Sequence, residues 1–205
     1  MNHSKDIQNI VIVGGGTSGW MTAAYLHKAL NRQEGEPTCQ ITLIEASDIP
    51  SVGVGEATIP IFKHFFGYLG FDEGEWMEAC HATYKLAIKF VGWVDGSADD
   101  YYWHTFGSLS SGGVNQMQHW LHAQKHGYSI PFAQSVHEAV HVCEAQKAPK
   151  SAYTPVQGTQ RLGYAMHLDA GLLADLLKKH CKGKGIQHLV GKVKHVNLDE
   201  KGFIN

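Results

Sequence analysis

The chain has little excess charge of either sign: seventeen Lys and Arg stand against nineteen Asp and Glu, leaving a formal charge of −2. It lacks the basic surplus that coats phosphate backbones or anionic lipid, so neither nucleic acid nor a membrane surface is an expected partner. No apolar run approaches the roughly 18 residues that a membrane-spanning helix needs. Cysteine is sparse: Cys39, Cys80, Cys143 and Cys181 are widely spaced, with no C-x-x-C pair. That pattern fits neither a disulfide scaffold nor a structural zinc site, and a reducing, cytoplasmic setting is expected. The first nine residues are polar, and the apolar stretch at 10–13 is far too short for a signal-peptide core, so no export signal is read. Internal repeats and low-complexity tracts are missing as well. What remains is a globular chain of 205 residues, 43% hydrophobic, enough for one to one and a half domains at about 150 residues each. Glycine is plentiful, with 23 residues in clusters, which usually means backbone bent sharply or brought close to a ligand.

The β-branched run at 10–13 ends in Gly14 and predicts a strand buried on both faces, as in a parallel sheet. A glycine-rich turn follows, then an amphipathic helix over 17–32, a loop over 31–40 and a second buried strand over 41–44 closed by Glu45. Strand, turn, helix, strand is a βαβ unit. Farther on, 51–60 reads as loop, 61–69 as a short aromatic helix, and 83–93 as one alternating strand. Residues 108–113 and 147–163 are loop-like. Asp169 is an N-cap for a helix over 170–181 with a leucine stripe, ended by Gly183 and Gly185, and one or two strands are expected over 186–196.

Gly14-Gly15-Gly16-Thr17-Ser18-Gly19 contains G-x-G-x-x-G directly after a strand and at the start of a helix, the context that dinucleotide binding requires. Gly14 permits the tight turn, Gly16 lets backbone amides approach a pyrophosphate, and Gly19 allows close helix-strand packing. The helix N-terminus adds its partial positive charge. Glu45 lies 26 residues past Gly19, against about 20 for the expected ribose carboxylate, and the 35–40 loop absorbs the difference. A carboxylate there favours a free ribose hydroxyl, hence FAD or NAD over NADP. A second glycine-rich loop containing Gly53, Gly55 and Ala57, and a strand pair beginning near Gly191-Lys192-Val193, lean toward the longer FAD.

These segments, with Trp20-Met21 after the fingerprint, Gly53-Val54-Gly55-Glu56-Ala57-Thr58-Ile59-Pro60, Tyr84-Lys85-Leu86-Ala87-Ile88-Lys89-Phe90, His104-Thr105-Phe106-Gly107 and Tyr164-Ala165-Met166-His167-Leu168-Asp169-Ala170, resemble the flavin-dependent halogenase family. Its best-known members are the tryptophan halogenases. The resemblance runs along essentially the whole chain. It implies an α/β fold, Rossmann-like, with the FAD-binding βαβ unit of the flavin monooxygenase/halogenase type. One domain over 1–205 is expected, with an inserted substrate-side segment at about 84–165. Neither the family's W-x-W-x-I-P segment nor its downstream glutamate occurs, so the fold is expected to be truncated, the N-terminal part of a longer halogenase.

By the same resemblance, FAD enters reduced, delivered by a separate flavin reductase, and with O2 and halide yields hypohalous acid. That oxidant reaches a lysine matched by Lys85, beside an electron-rich ring of indole, pyrrole or phenol type. The cofactor contacts are Gly14, Gly15, Gly16, Thr17, Ser18, Gly19, Glu45, Gly55, Ala57 and Val193; His104 and Phe106 match residues lining the aromatic site. A homodimer is admitted. From the residues alone, a strand lysine flanked by Leu86 and Ala87 can be desolvated, which frees its amine as donor or nucleophile. Strand alternation puts Lys89 on the same face, roughly 13 Å away, and only the motif match selects Lys85.

His137-Glu138-Ala139-Val140-His141 satisfies H-E-x-x-H, but the third ligand a catalytic zinc needs is missing, so no metal is expected and the segment reads as a surface helix. Two other functions stay open: a flavin-dependent aromatic hydroxylase, which shares the fold without needing Lys85, and an inactive FAD-binding fragment.

Overall fold

The computed structural model describes residues 7–31, 38–49, 53–106, 115–150, 162–200, 202 and 204. The chain begins with β1 (Asn9–Val13), α1 (Thr17–Leu30), β2 (Gln40–Glu45) and β3 (Gly55–Ala57), followed by α2 (Phe62–Leu69) and α3 (Glu73–Ala79). Three strands come next: β4 (Thr83–Lys85), β5 (Ala87–Val91) and β6 (Tyr101–Thr105). Helices α4 (Gln116–Lys125), α5 (Phe132–Val136) and α6 (Glu138–Glu144) precede β7 (Ala165–Asp169), α7 (Ala170–Gly183) and β8 (Gln187–Val190). These form two units. The first takes the chain up to Glu56, Phe65–Ala82 and everything from Leu168; the second takes Ala57–His64 and Thr83–His167.

In the first unit, β1, β2 and β8 make a parallel sheet in the order β1-β2-β8, with Ile10 opposite Ile41, Ile12 opposite Leu43, and Leu43 opposite His188. The βαβ unit is therefore present as its periodicity predicts. Helix α1 packs on the face carrying Ile41 and Leu43, and the small Ala23 and Ala24 let it lie close to α7, which buries Leu173, Leu177 and Cys181. Each such aliphatic side chain removed from water contributes about 1.5–3 kcal/mol. Asp169 caps α7 as expected, its carboxylate accepting from the Leu172 amide at 2.9 Å. Phe66 stacks on Trp76 of α3, with ring centres 4.4 Å apart, and Asp72 caps that helix by accepting from Gly74 and Glu75. All four cysteines carry free thiols, and Cys39, Cys80 and Cys181 are buried.

The expectation that β1 is buried on both faces is not met. Alternate residues Val11 and Val13 are 55% and 65% exposed, because α1 covers one face of the sheet and no described element covers these two side chains. Residues 51–60 are not all loop, since β3 falls within them, and β8 ends at Val190 where strand had been expected to continue to 196.

In the second unit β4 runs antiparallel to β7, with Lys85 opposite Ala165, while β5 and β6 pair antiparallel from Ala87 opposite Thr105 to Val91 opposite Tyr101. The single strand expected over 83–93 is thus two strands in two sheets, broken at the buried Leu86. Ala139 and Val140 of α6 are fully buried beside β5 and β6, so that helix is not merely a surface one. The loop expected at 108–113 lies outside the described residues, as does most of the 147–163 connection. Among the described residues no helix is long and apolar enough to cross a membrane.

Candidate functional site

Each glycine of the fingerprint meets a different demand. Gly14 has φ +119°, a backbone region that side chains disfavour, and its amide donates to the Ile44 carbonyl at 2.8 Å, closing the turn onto β2. A Cβ on Gly19 would lie 1.9 Å from the Gly14 carbonyl oxygen and 3.6 Å from Leu43, so the first turn of α1 packs against its own loop only without a side chain. A Cβ on Gly16 would meet nothing within 4 Å, leaving open space before the helix. Gly16 is the N-cap residue and offers no capping side chain, so the first-turn amides keep their donors and the positive end of the helix dipole faces that space. Ser18 is exposed in this turn, and the Thr17 hydroxyl is committed to the Ala170 carbonyl at 3.1 Å.

Glu45 ends β2 beside this loop. Its Oε1 accepts from Lys178 Nζ and from His188 Nε2, both at 2.7 Å. Burial pushes its carboxyl up, but the hydrogen bonds and charges of Lys178 and His188 outweigh that and hold it below its ordinary value. The carboxylate is therefore ionised and fixed at neutral pH. Open space at a helix N-terminus with an ionised carboxylate one strand away fits the pyrophosphate and ribose of a dinucleotide. The Glu45 carbonyl accepts from the Gly191 amide at 2.8 Å, which starts the irregular segment holding the half-exposed Val193. Gly55 and Ala57 are exposed in β3.

In the second unit the structure brings Lys85, Phe106 and His104 together. Lys85 is half-buried at the end of β4, and its Nζ donates to the Thr58 carbonyl at 3.0 Å. Thr58 is itself buried and tied to β7: its amide donates to the Met166 carbonyl at 2.8 Å, and its hydroxyl oxygen accepts from the Met166 amide at 2.9 Å. The ammonium lies 5.4 Å from the ring centre of the buried Phe106, and that ring meets the exposed His104 edge-on at 6.4 Å. The anchor at Thr58 is a backbone carbonyl, and no sequence signal pointed to it. Lys89 does not compete for this place. It belongs to β5, where its Nζ sits 3.9 Å over the Tyr101 ring. Trp20, which follows the glycine fingerprint in the sequence, is buried core in the first unit.

The H-E-x-x-H histidines do not share a helix face, because His137 is the N-cap of α6 with φ −133° and its Nδ1 accepts from the Ala139 amide. His141 Nε2 donates to the Gln134 carbonyl at 2.8 Å. Both imidazoles serve the ends of short helices, a use of histidine that the motif does not reveal.

The parallel βαβ unit and its glycine turn define a dinucleotide-binding α/β protein. Residues 9–205 match the tryptophan halogenase family model, and the chain belongs to that family. It is 39% identical to tryptophan 7-halogenase RebH of Lentzea aerocolonigenes, over 98% of this chain and 39% of the relative. The crystal structure of tryptophan 6-halogenase SttH from Streptomyces toxytricini is 36% identical, with a TM-score of 0.82, over 98% of this chain and 40% of that one. Xcc4156, a flavin-dependent halogenase from Xanthomonas campestris, is 38% identical with a TM-score of 0.81, over 97% and 38% of the two chains. The fold is thus the Rossmann-like one of the flavin-dependent halogenases, and the chain spans about two fifths of the length of these relatives.

Proposed function

We propose that this chain supplies the flavin-binding and lysine-bearing part of a flavin-dependent halogenase that modifies an electron-rich aromatic ring such as that of tryptophan or another indole. The observation that carries the reading is Lys85, anchored by one N–H on the Thr58 carbonyl with the Phe106 ring beside its ammonium. The amides of Gly15, Gly16, Thr17, Ser18 and Gly19 would face the pyrophosphate, with Gly14, its own amide spent on Ile44, turning the chain beneath it; Glu45 would face the ribose, with Gly55, Ala57 and Val193 as further contacts. Reduced FAD, delivered by a separate reductase, supplies the reducing equivalents with which O2 converts halide to hypohalous acid.

The protein's own part in the later step is positional. Lys85 has three N–H donors and spends one on Thr58, leaving two for the oxygen of hypohalous acid. Phe106 and His104 offer a ring face and a polar edge for the acceptor ring. The second unit, Ala57–His64 with Thr83–His167, would be the substrate-side segment. Four free thiols suit a reducing, cytoplasmic compartment.

The test uses the full chain with a flavin reductase, halide and tryptophan or indole. Lys85→Ala is expected to lose halogenated product while FAD affinity and flavin oxidation stay near the parent's, because the lysine acts after the oxidant forms. Halogenation at a parental rate in that variant would overturn the role of Lys85. Hydroxylated product from the parent would move the reading to a flavin hydroxylase.

A further inference from the structure

Glu45 is held more tightly than a ribose ligand at the end of a strand needs to be. Lys178 comes from α7 and His188 from β8, and both bonds land on one oxygen, Oε1, at 2.7 Å. A carboxylate accepts only, so His188 Nε2 must carry its hydrogen. The two donors are themselves braced by Trp20, which is 1% exposed: its ring meets His188 edge-on at 5.3 Å, and Lys178 Nζ lies 5.8 Å from it. With Oε1 occupied, Oε2 points to the glycine loop, where it would be 1.6 Å from a Cβ on Gly15. Among the described residues no donor reaches Oε2.

We propose that Lys178 and His188 are positioning residues that split the labour of the Glu45 carboxylate, binding one oxygen so that the other is fixed over Gly15 for the cofactor's ribose hydroxyl. Gly15 is then a glycine on account of Glu45, not of the pyrophosphate. This explains why a position the fingerprint leaves free is occupied by the smallest residue. The inference rests on the reading that Glu45 faces the FAD ribose, and it assigns specificity to side chains on two elements that the βαβ unit does not include. A free carboxylate could rotate and accept from ribose with either oxygen; a held one offers a single oxygen in one direction, so less ordering remains to be done on binding.

The experiment measures, in the full chain, the Kd of oxidised FAD by flavin fluorescence and the thermal midpoint without FAD. Lys178→Ala and His188→Ala are each expected to weaken FAD about tenfold, the scale of one charge-assisted hydrogen bond. His188→Gln, which keeps an N–H near the Nε2 position, should recover most of that loss. In the Glu45→Ala background neither change should alter the Kd further. Equal losses with and without Glu45, or no loss at all, would overturn the proposal, since the two residues would then act on the fold or on general charge. Because a Cβ on Gly15 would also lie 2.6 Å from the Glu45 Cβ, which alanine retains, Gly15→Ala should lower the midpoint of the cofactor-free chain, and markedly less so in a Glu45→Gly background; an unchanged drop there would refute the steric link. If Glu45→Ala alone leaves the Kd unaltered, the ribose reading falls and the proposal with it. If that variant weakens FAD while the Lys178 and His188 variants do not, the proposal falls alone.

Discussion

At the scale of single residues, Gly16 and Gly19 separate binding from folding within one loop. Gly19→Ala drives a methyl to within 1.9 Å of the Gly14 carbonyl, so it should cost about 1–3 kcal/mol of stability whether or not FAD is present. Gly16→Val places its branches in open space on extended backbone, φ −73° and ψ −180°, and should leave the cofactor-free melting temperature near the parent's while blocking FAD. Equal FAD affinity in Gly16→Val and the parent, by calorimetry, would show that the loop is only a turn. The fingerprint made both positions legible from sequence, because spacing alone says which glycine turns, which opens and which packs. It could not reveal Gly15, whose constraint comes from a carboxylate 30 residues later in the chain. The choice of Lys85 over Lys89 was equally closed to periodicity: alternation treats both as one face of one strand, and the break at Leu86 that divides them depends on two different partners, β7 and β6. Lys89→Ala, which removes an ammonium lying over Tyr101 and Trp103, should keep halogenation within a few-fold of the parent in the assay that Lys85→Ala fails.

Elements with their own start signals were the readable ones. Helix α7 has Asp169 to cap it, a leucine stripe to bury and Gly185 at φ +83° just past its end, so local chemistry and packing agree on its bounds. Helix α3 carried a comparable signal, Asp72 followed three residues on by Glu75, and could have been found by it. Strands β6 and β7 had no such marks, since their pairing is set by β5 and β4 and not by their own residues. The ends of α1 and α7 add a pH dependence. His27 and Lys28 in the last turn of α1 and His180 and Lys184 at the end of α7 line one cleft of about 300 Å³, where cations offset the negative ends of both helices. Burial first, and then the Lys184 charge, lowers both imidazole pKa values. The unfolded chain therefore binds more protons than the folded one just below the ordinary histidine value of 6.5, and stability falls as pH drops through that range. Urea unfolding at pH 7.5 and pH 5.5 should show the loss, and His27→Gln with His180→Gln should flatten it; an unchanged slope would locate the titrating groups elsewhere.

Across the whole molecule, the division into two units gives the buried cysteines a use beyond packing. Cys39, Cys80 and Cys181 all lie in the first unit, whereas the half-buried Cys143 is in the second. Burial raises all four thiols, pushing Cys80 to about 11, with the Asp169 charge adding to it, and Cys181 to about 12. A buried thiol far from its thiolate form does not react until its surroundings open, so modification in native buffer should reach Cys143 first and the other three only through local or global unfolding. FAD held by the first unit should slow Cys80 and Cys181 further and leave Cys143 as it was. Mass spectrometry of partly alkylated chain reads all four at once, and a single shared rate would mean that the units open together. The free thiols are in this sense paired clocks, timing how long each half of the protein stays shut without any probe being added to it.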